Sequence, residues 1–195
     1  QPEVYVKSIF SHLSVADDTQ ENDFTYGQIR KFQIMSGAIK DELGYSVIRH
    51  ISNSAGALNY RQSHFDMVRI GIGLFGLVDP SNKNLESAIS FHSRISHINS
   101  VEIGESVGYG RSFITEKKME IGVVPVGYAD GLRRNLSRGR WSVIVNGKKA
   151  PIVGNICMDM CMVDLTGINA KRGDNVVVFG KDNSINEMAS ILHTI

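Results

Sequence analysis

Cysteine, tryptophan, proline and net charge are all scarce in these 195 residues. Two cysteines, Cys157 and Cys161, are too few for a disulfide framework, and their C-x-x-x-C spacing is not a redox pattern. A cytoplasmic setting is therefore expected. Lys+Arg 21 against Asp+Glu 20 leaves a net charge of +1, which supplies no field to attract nucleic acid or an anionic membrane. No long hydrophobic run is present: the most apolar stretch, Met67 to Val78, is short and carries Arg69, so no membrane span is expected. Gln1-Pro2-Glu3 lacks an initiating Met and the basic-then-apolar order of a signal peptide, as expected of a processed or excised piece. His12, His50 and His64 have no ligand spacing, so no metal is expected. The length also falls short of the roughly 250 residues of a closed eight-stranded α/β barrel.

What is present is an ordinary globular composition, 42% hydrophobic and 21% charged. The texture changes near residue 80. Before it, Val4 to Leu13, Tyr45 to Ile51 and Phe65 to Phe75 read as strands. A helix is expected between the first two, opened by a capping box at Thr25-Tyr26-Gly27-Gln28 and carried by Ile29, Phe32, Met35, Ile39 and Leu43. Gly44 stops it, and Asn53-Ser54 caps a short helix over Ala55 to Tyr60. This β-α-β-α-β order predicts parallel strands with helical crossovers. Asp79 to Asn84 reads as a linker. Beyond it, Ile121 to Val126, the hairpin Trp141 to Val145 and Lys148 to Val153 about Asn146-Gly147, Met160 to Leu165 and Asn175 to Phe179 read as an antiparallel β domain, with a closing helix over Ile185 to Leu192.

Gly71-Ile72-Gly73-Leu74-Phe75-Gly76 matches G-x-G-x-x-G, but Pro80 follows it instead of a helix, so a dinucleotide oxidoreductase is the weakest reading. The same glycines can still offer backbone N–H groups to a phosphate, and Asn53-Ser54 at a helix start offers a second cradle beside plain capping. Arg69, among Met67, Val68, Ile70 and Ile72, needs a partner if buried. His12 and His50 fall at strand carboxyl ends, where α/β barrels keep their chemistry. Cys157 and Cys161 would face one side of a strand. Tyr109 between Gly108 and Gly110, and Tyr128 before Ala129-Asp130-Gly131, are aromatics held in turns.

Six stretches together carry a resemblance: Ser11-His12-Leu13-Ser14-Val15-Ala16-Asp17, His50-Ile51-Ser52-Asn53-Ser54-Ala55, Met67 to Gly76, Val107-Gly108-Tyr109-Gly110, Pro125 to Gly131, and Pro151 to Asp159. In this order and spacing the chain resembles bacterial alanine racemase, a pyridoxal phosphate (PLP) isomerase that interconverts L- and D-alanine for peptidoglycan. The resemblance implies the later strands of a (β/α)8 barrel over residues 1–82, followed by a mainly antiparallel β domain over 83–195. It implies that Ser54 and the backbone of Gly71 and Ile72 hold the cofactor phosphate. Arg69 would meet the pyridine nitrogen, and His12 would join the network around it. Tyr109 would be the catalytic base for one face of the substrate Cα, reaching the other subunit's cofactor, so that active sites are shared in a homodimer. A tyrosine in that role calls for cations close by. Tyr128 would narrow the substrate entrance, the Met158 N–H would meet the substrate carboxylate, and Asp159 would support that turn.

Two departures stand beside these implications. Asn155 occupies a position where members often carry Arg, and no Lys-x-Asn-Ala-Tyr-Gly-like motif occurs, so the lysine that anchors the cofactor is expected outside residues 1–195. The chain is then expected to be inactive alone, part of a full enzyme or of an upstream fusion with a cell-wall ligase. A non-catalytic PLP-binding or regulatory module, and a racemase for another amino acid such as serine, remain open.

Overall fold

The computed structural model describes residues 4–78 and 85–194. The linker read at Asp79 to Asn84 lies outside the described residues, as does Gln1-Pro2-Glu3. The chain divides into two compact units, Gln1–Ala88 and Ile89–Ile195.

In the first unit, β1 (Ser8–Phe10) and β2 (Ile48–His50) pair in parallel, connected by the long helix α1 (Asn22–Leu43). A short helix, α2 (Ser54–Asn59), follows β2. The expected stripe holds in part: Ile29 and Phe32 pack with Leu13, Ala16, Ile51, Ala55 and Tyr60, whereas Met35 and Ile39 are exposed and Leu43 is half-buried. Gly44 ends α1 in the left-handed conformation, φ +69°, and its N–H bonds Lys40 O. The Thr25–Gln28 capping box does not form. Asp18 caps a preceding 3-10 turn, α1 opens at Asn22, and Gln28 instead takes the N–H of Ser14 and donates to His12 O. Gln28 therefore ties the loop after β1 to the helix.

Phe65 to Phe75 is not a strand. Asp66 N–H bonds Arg49 O and Arg69 N–H bonds Ser52 O, so the segment runs beside β2 without building a ladder. Beyond Gly71 it coils into a 3-10 turn, Ile72–Phe75. The expected strands on either side of α1 are likewise shortened to three residues each.

The second unit carries one seven-stranded antiparallel sheet in the order β3 (Phe91–Arg94), β11 (Asn175–Phe179), β8 (Ser142–Val145), β9 (Lys148–Val153), β10 (Cys161–Asp164), β7 (Met119–Val124), β4 (His97–Val101). A small ribbon of β5 (Ser106–Val107) and β6 (Phe113–Ile114) stands apart. β3 and β4 sit at opposite ends of the sheet, yet only Ile95 and Ser96 separate them. A flat sheet of this size would hold its edges about 29 Å apart, whereas the link reaches about 11 Å at most. The sheet therefore curls until its edges approach, and the inward side chains of Val124, Val143, Val145, Ile152, Val163 and Val176 close into one core. Trp141 joins that core and satisfies its indole N–H on Val178 O at 3.0 Å. Helix α3 (Ile185–Ile191) adds Met188.

The Asn146-Gly147 hairpin forms as read, with φ +48° and +75° at its two turn residues. Cys157 and Cys161 do not share a strand face: residues 157–160 make a turn closed by Cys157 N–H to Met160 O, and only Cys161 enters β10.

Candidate active site

In the first unit, the carboxyl ends of β1 and β2 converge on Arg69. Its Nη1 donates to His50 Nδ1 at 2.6 Å; its Nη2 donates to Ser11 O at 2.8 Å and to His12 Nδ1 at 3.1 Å. A guanidinium only donates, so both imidazoles face it with Nδ1 as the acceptor, and His50 then carries its proton on Nε2. His50 is buried and stacks on Phe10 at 5.4 Å. Burial, and secondarily the charge of Arg69, hold His50 below its ordinary pKa of 6.5. The result is a fixed cation aimed by two imidazoles and main-chain carbonyls.

One turn away, Asn53 caps α2 by accepting Gly56 N–H at 2.9 Å, which fixes the direction of Ser54. The N–H groups of Gly71 and Gly73 both point at Ser54 Oγ, at 2.9 and 3.1 Å. A Cβ on Gly73 would lie 3.1 Å from that hydroxyl and 3.0 Å from Val78 Cγ2, so glycine gives the closest approach. Ser54 Oγ accepts both N–H groups, which draws the glycine turn against the start of α2 and leaves the Ser54 O–H as the hydrogen it can offer an anion. The structure brings His12, Arg69, Ser54 and Gly71 into one continuous patch, since Arg69 and Gly71 are two residues apart on the same segment. Ile72 begins the 3-10 turn, and the second converging N–H belongs to Gly73. Sequence reasoning singled out the glycine run and His50, but not the bonds that Gly73 makes to Ser54 and His50 to Arg69. The G-x-G spacing was the signal for the glycine, whereas the Arg69–His50 bond depends on tertiary placement.

In the second unit, Tyr109 lies on a 3-10 turn between Gly108 (φ +76°) and Gly110 (φ +71°), with 71% of its surface exposed. It borders a largely apolar cleft of about 490 Å³ with Val101, Val107, Ile121, Met160 and Met162. Tyr128 and Met158 occur on two turns locked together. Tyr128 N–H bonds Cys157 O and Ala129 N–H bonds Met158 O, both at 3.0 Å. Gly127 makes the contact possible, because a Cβ there would fall 2.2 Å from Met158 O. Asp130 Oδ2 accepts Gly127 N–H and holds the turn from within. Tyr128 and Met158 are both exposed, and Asp159 follows on the same turn. Among the described residues no group of three or more His, Cys, Asp or Glu could hold a metal ion, and no helix is long and apolar enough to cross a membrane.

The sequence model described as alanine racemase, C-terminal domain, matches residues 88–195, and that for the alanine racemase N-terminal domain matches residues 1–79. Alanine racemase 1 of Clostridium acetobutylicum is 38% identical over 98% of this chain and 52% of its own. Alanine racemase of Methanococcus maripaludis is 38% identical over 98% of this chain and 53% of its own. The solved alanine racemase of Clostridium difficile in complex with cycloserine superposes with a TM-score of 0.88 at 36% identity, covering 98% of this chain and 52% of that one. The Bacillus anthracis enzyme with bound L-Ala-P gives 0.84 at 31% identity, covering 98% and 51%. The chain therefore spans about half the length of the curated relatives it matches. A partial α/β barrel, a curled antiparallel domain and matches along the whole sequence lead to one conclusion: the chain belongs to the alanine racemase family.

Proposed function

We propose that this chain forms the C-terminal half of a PLP-dependent alanine racemase, interconverting L- and D-alanine. The observation that carries the reading is the pairing, on one segment, of a guanidinium aimed by two imidazoles with a glycine turn, two residues later, that is drawn onto the Ser54 hydroxyl. That spacing fits a flat, phosphorylated pyridine. Ser54 and the backbone of Gly71 and Ile72 would hold the phosphate, and Arg69 would donate to the ring nitrogen. When bound, PLP withdraws electrons from the α-carbon of an amino acid and acidifies its hydrogen.

The remaining work belongs to this chain's side chains. Arg69 stays charged and gives up no proton, so the ring nitrogen it meets keeps its lone pair and the electron withdrawal is moderated. His50 and His12 keep the guanidinium from swinging away. The Tyr109 phenol, exposed at the tip of its turn, would take or return a proton on one face of the substrate Cα. A lysine outside residues 1–195 would serve the other face and anchor the cofactor. In this reading Tyr109 reaches the site of a second subunit, so the working form is a homodimer. Tyr128 would narrow the entrance, the Met158 N–H would meet the substrate carboxylate, and Asp159 would steady that turn. D-alanine so formed would serve cell-wall peptidoglycan.

The test is borohydride reduction of the PLP-loaded full-length protein, followed by peptide mapping. The expected label falls on a lysine outside residues 1–195. Label on any of the ten lysines within the chain would overturn the assignment. Tight, saturable PLP binding by the chain alone would instead favour a non-catalytic binding module.

A further inference from the structure

Asn155 stands where three loops of the second unit meet, with 8% of its surface exposed. Both ends of its amide are used. Its Nδ2 donates to the Tyr109 carbonyl at 3.0 Å, and its Oδ1 accepts from Arg138 Nε at 3.2 Å. These partners fix which way the amide points, because a carbonyl only accepts and a guanidinium only donates.

The loops around it are pinned. Gly154 sits at φ +66°, and a Cβ there would lie 2.8 Å from Val107 O. A Cβ on Gly108 would meet Met162 Cε at 2.8 Å, with Asn155 N and O next at 3.8 Å. Ser137 Oγ accepts Ile156 N–H at 2.9 Å, and Gly154 O accepts Arg138 N–H at 3.0 Å. Arg138 itself holds φ +59°, a conformation that L side chains rarely adopt. Tyr109 is the contrast: its side chain is exposed and both neighbours are glycines. A polar bond to its main chain is what sets the pivot from which the phenol projects.

We propose that Asn155 is a positioning residue for Tyr109, with Arg138 in turn holding Asn155. The inference rests on reading Tyr109 as the proton-transferring phenol. Small misplacement of a reacting group slows proton transfer more than it weakens substrate binding.

The test uses the full-length holoenzyme and α-deuterated alanine. Asn155→Asp is nearly isosteric; it keeps the acceptor for Arg138 but sets an oxygen against the Tyr109 carbonyl. We expect kcat to fall about ten- to fiftyfold with KM within about twofold. The primary isotope effect on kcat/KM should rise for one alanine enantiomer only, a signature that general loosening would not produce. Thermal unfolding should stay near wild type. As a second route, Arg138→Met should lower kcat alone but add nothing to Asn155→Ala. Wild-type kcat in Asn155→Asp, a loss without the one-sided isotope effect, or additive losses for Arg138→Met and Asn155→Ala would overturn the proposal. Tyr109→Phe separates the two levels. If it turns over normally, the reading of Tyr109 fails and the positioning role with it. If it is inactive while Asn155→Asp is normal, only the positioning role fails.

Discussion

Replacing Arg69 by methionine probes the centre of the first unit with a side chain that keeps the stem's packing and loses every donor. Three short bonds disappear, to His50 Nδ1, Ser11 O and His12 Nδ1. Hydrogen bonds from a charged donor contribute about 1.5–3 kcal/mol each when sheltered. Arg69 is half-buried, and water replaces part of what is lost at His12 and Ser11. The buried acceptor on His50 has no such replacement. A net loss of about 2–4 kcal/mol in urea unfolding is therefore expected. The same variant sorts the two causes of the His50 shift. In the wild type its pKa lies below 6.5, so the stability linked to neutral His50 is held above that pH and lost as pH falls through the folded value. Burial is the larger cause and Arg69 the smaller. In Arg69→Met the His50 midpoint, followed by NMR of its ring protons, should rise yet remain below 6.5. A midpoint unchanged from wild type, with a stability loss under about 0.5 kcal/mol, would refute the reasoning.

Other perturbations test the second unit and the exposed faces. Gly127→Ala drives a methyl into the Met158 carbonyl and should cost more than about 2 kcal/mol in thermal unfolding; a wild-type melt would show that the two turns are not locked. Cys161 is fully buried and its thiol is pushed up to about 12, so Ellman's reagent should titrate Cys157 alone in the native protein and both thiols in denaturant. Two rapid equivalents in the native state would contradict this. Phe10 is 69% exposed and Ile48 46% exposed on the β1–β2 pair, so residues 1–195 expressed alone should self-associate, and a monodisperse monomer by light scattering would count against a partial barrel.

Much of this architecture was readable where chemistry is local. Asn146-Gly147 demanded a primed turn, and Asn53 demanded a helix start; both follow from what one or two residues prefer. The core stripe of α1 was readable because Ile29 and Phe32 recur at helical spacing. Elements decided by distant partners were not. Strands β3 and β4 carry His92, Arg94, His97 and Asn99, leave no position fully buried, and exist because β11 and β7 offer them edges. Phe65 to Phe75 has the apolar content of a strand but finds only two main-chain partners, on Arg49 and Ser52, before Gly71 turns it. The start of α1 moved because Asp18, from outside the expected helix, shaped the preceding turn. Within the site, the resemblance pointed to Arg69, Ser54 and Tyr109, whereas the bonds Arg69–His50, Gly73–Ser54 and Asn155–Tyr109 join distant segments that no spacing encodes.

The central claim is that this chain supplies the cofactor cradle and one proton-transferring phenol of an alanine racemase. The most direct measurement is D-alanine formed from L-alanine by the PLP-loaded full-length protein, beside its Tyr109→Phe variant. Racemisation is expected from the wild type, with a loss of at least about a hundredfold in the variant, in keeping with the contribution of a positioned acid–base group. No D-alanine from the wild type, or equal rates from both proteins, would contradict it.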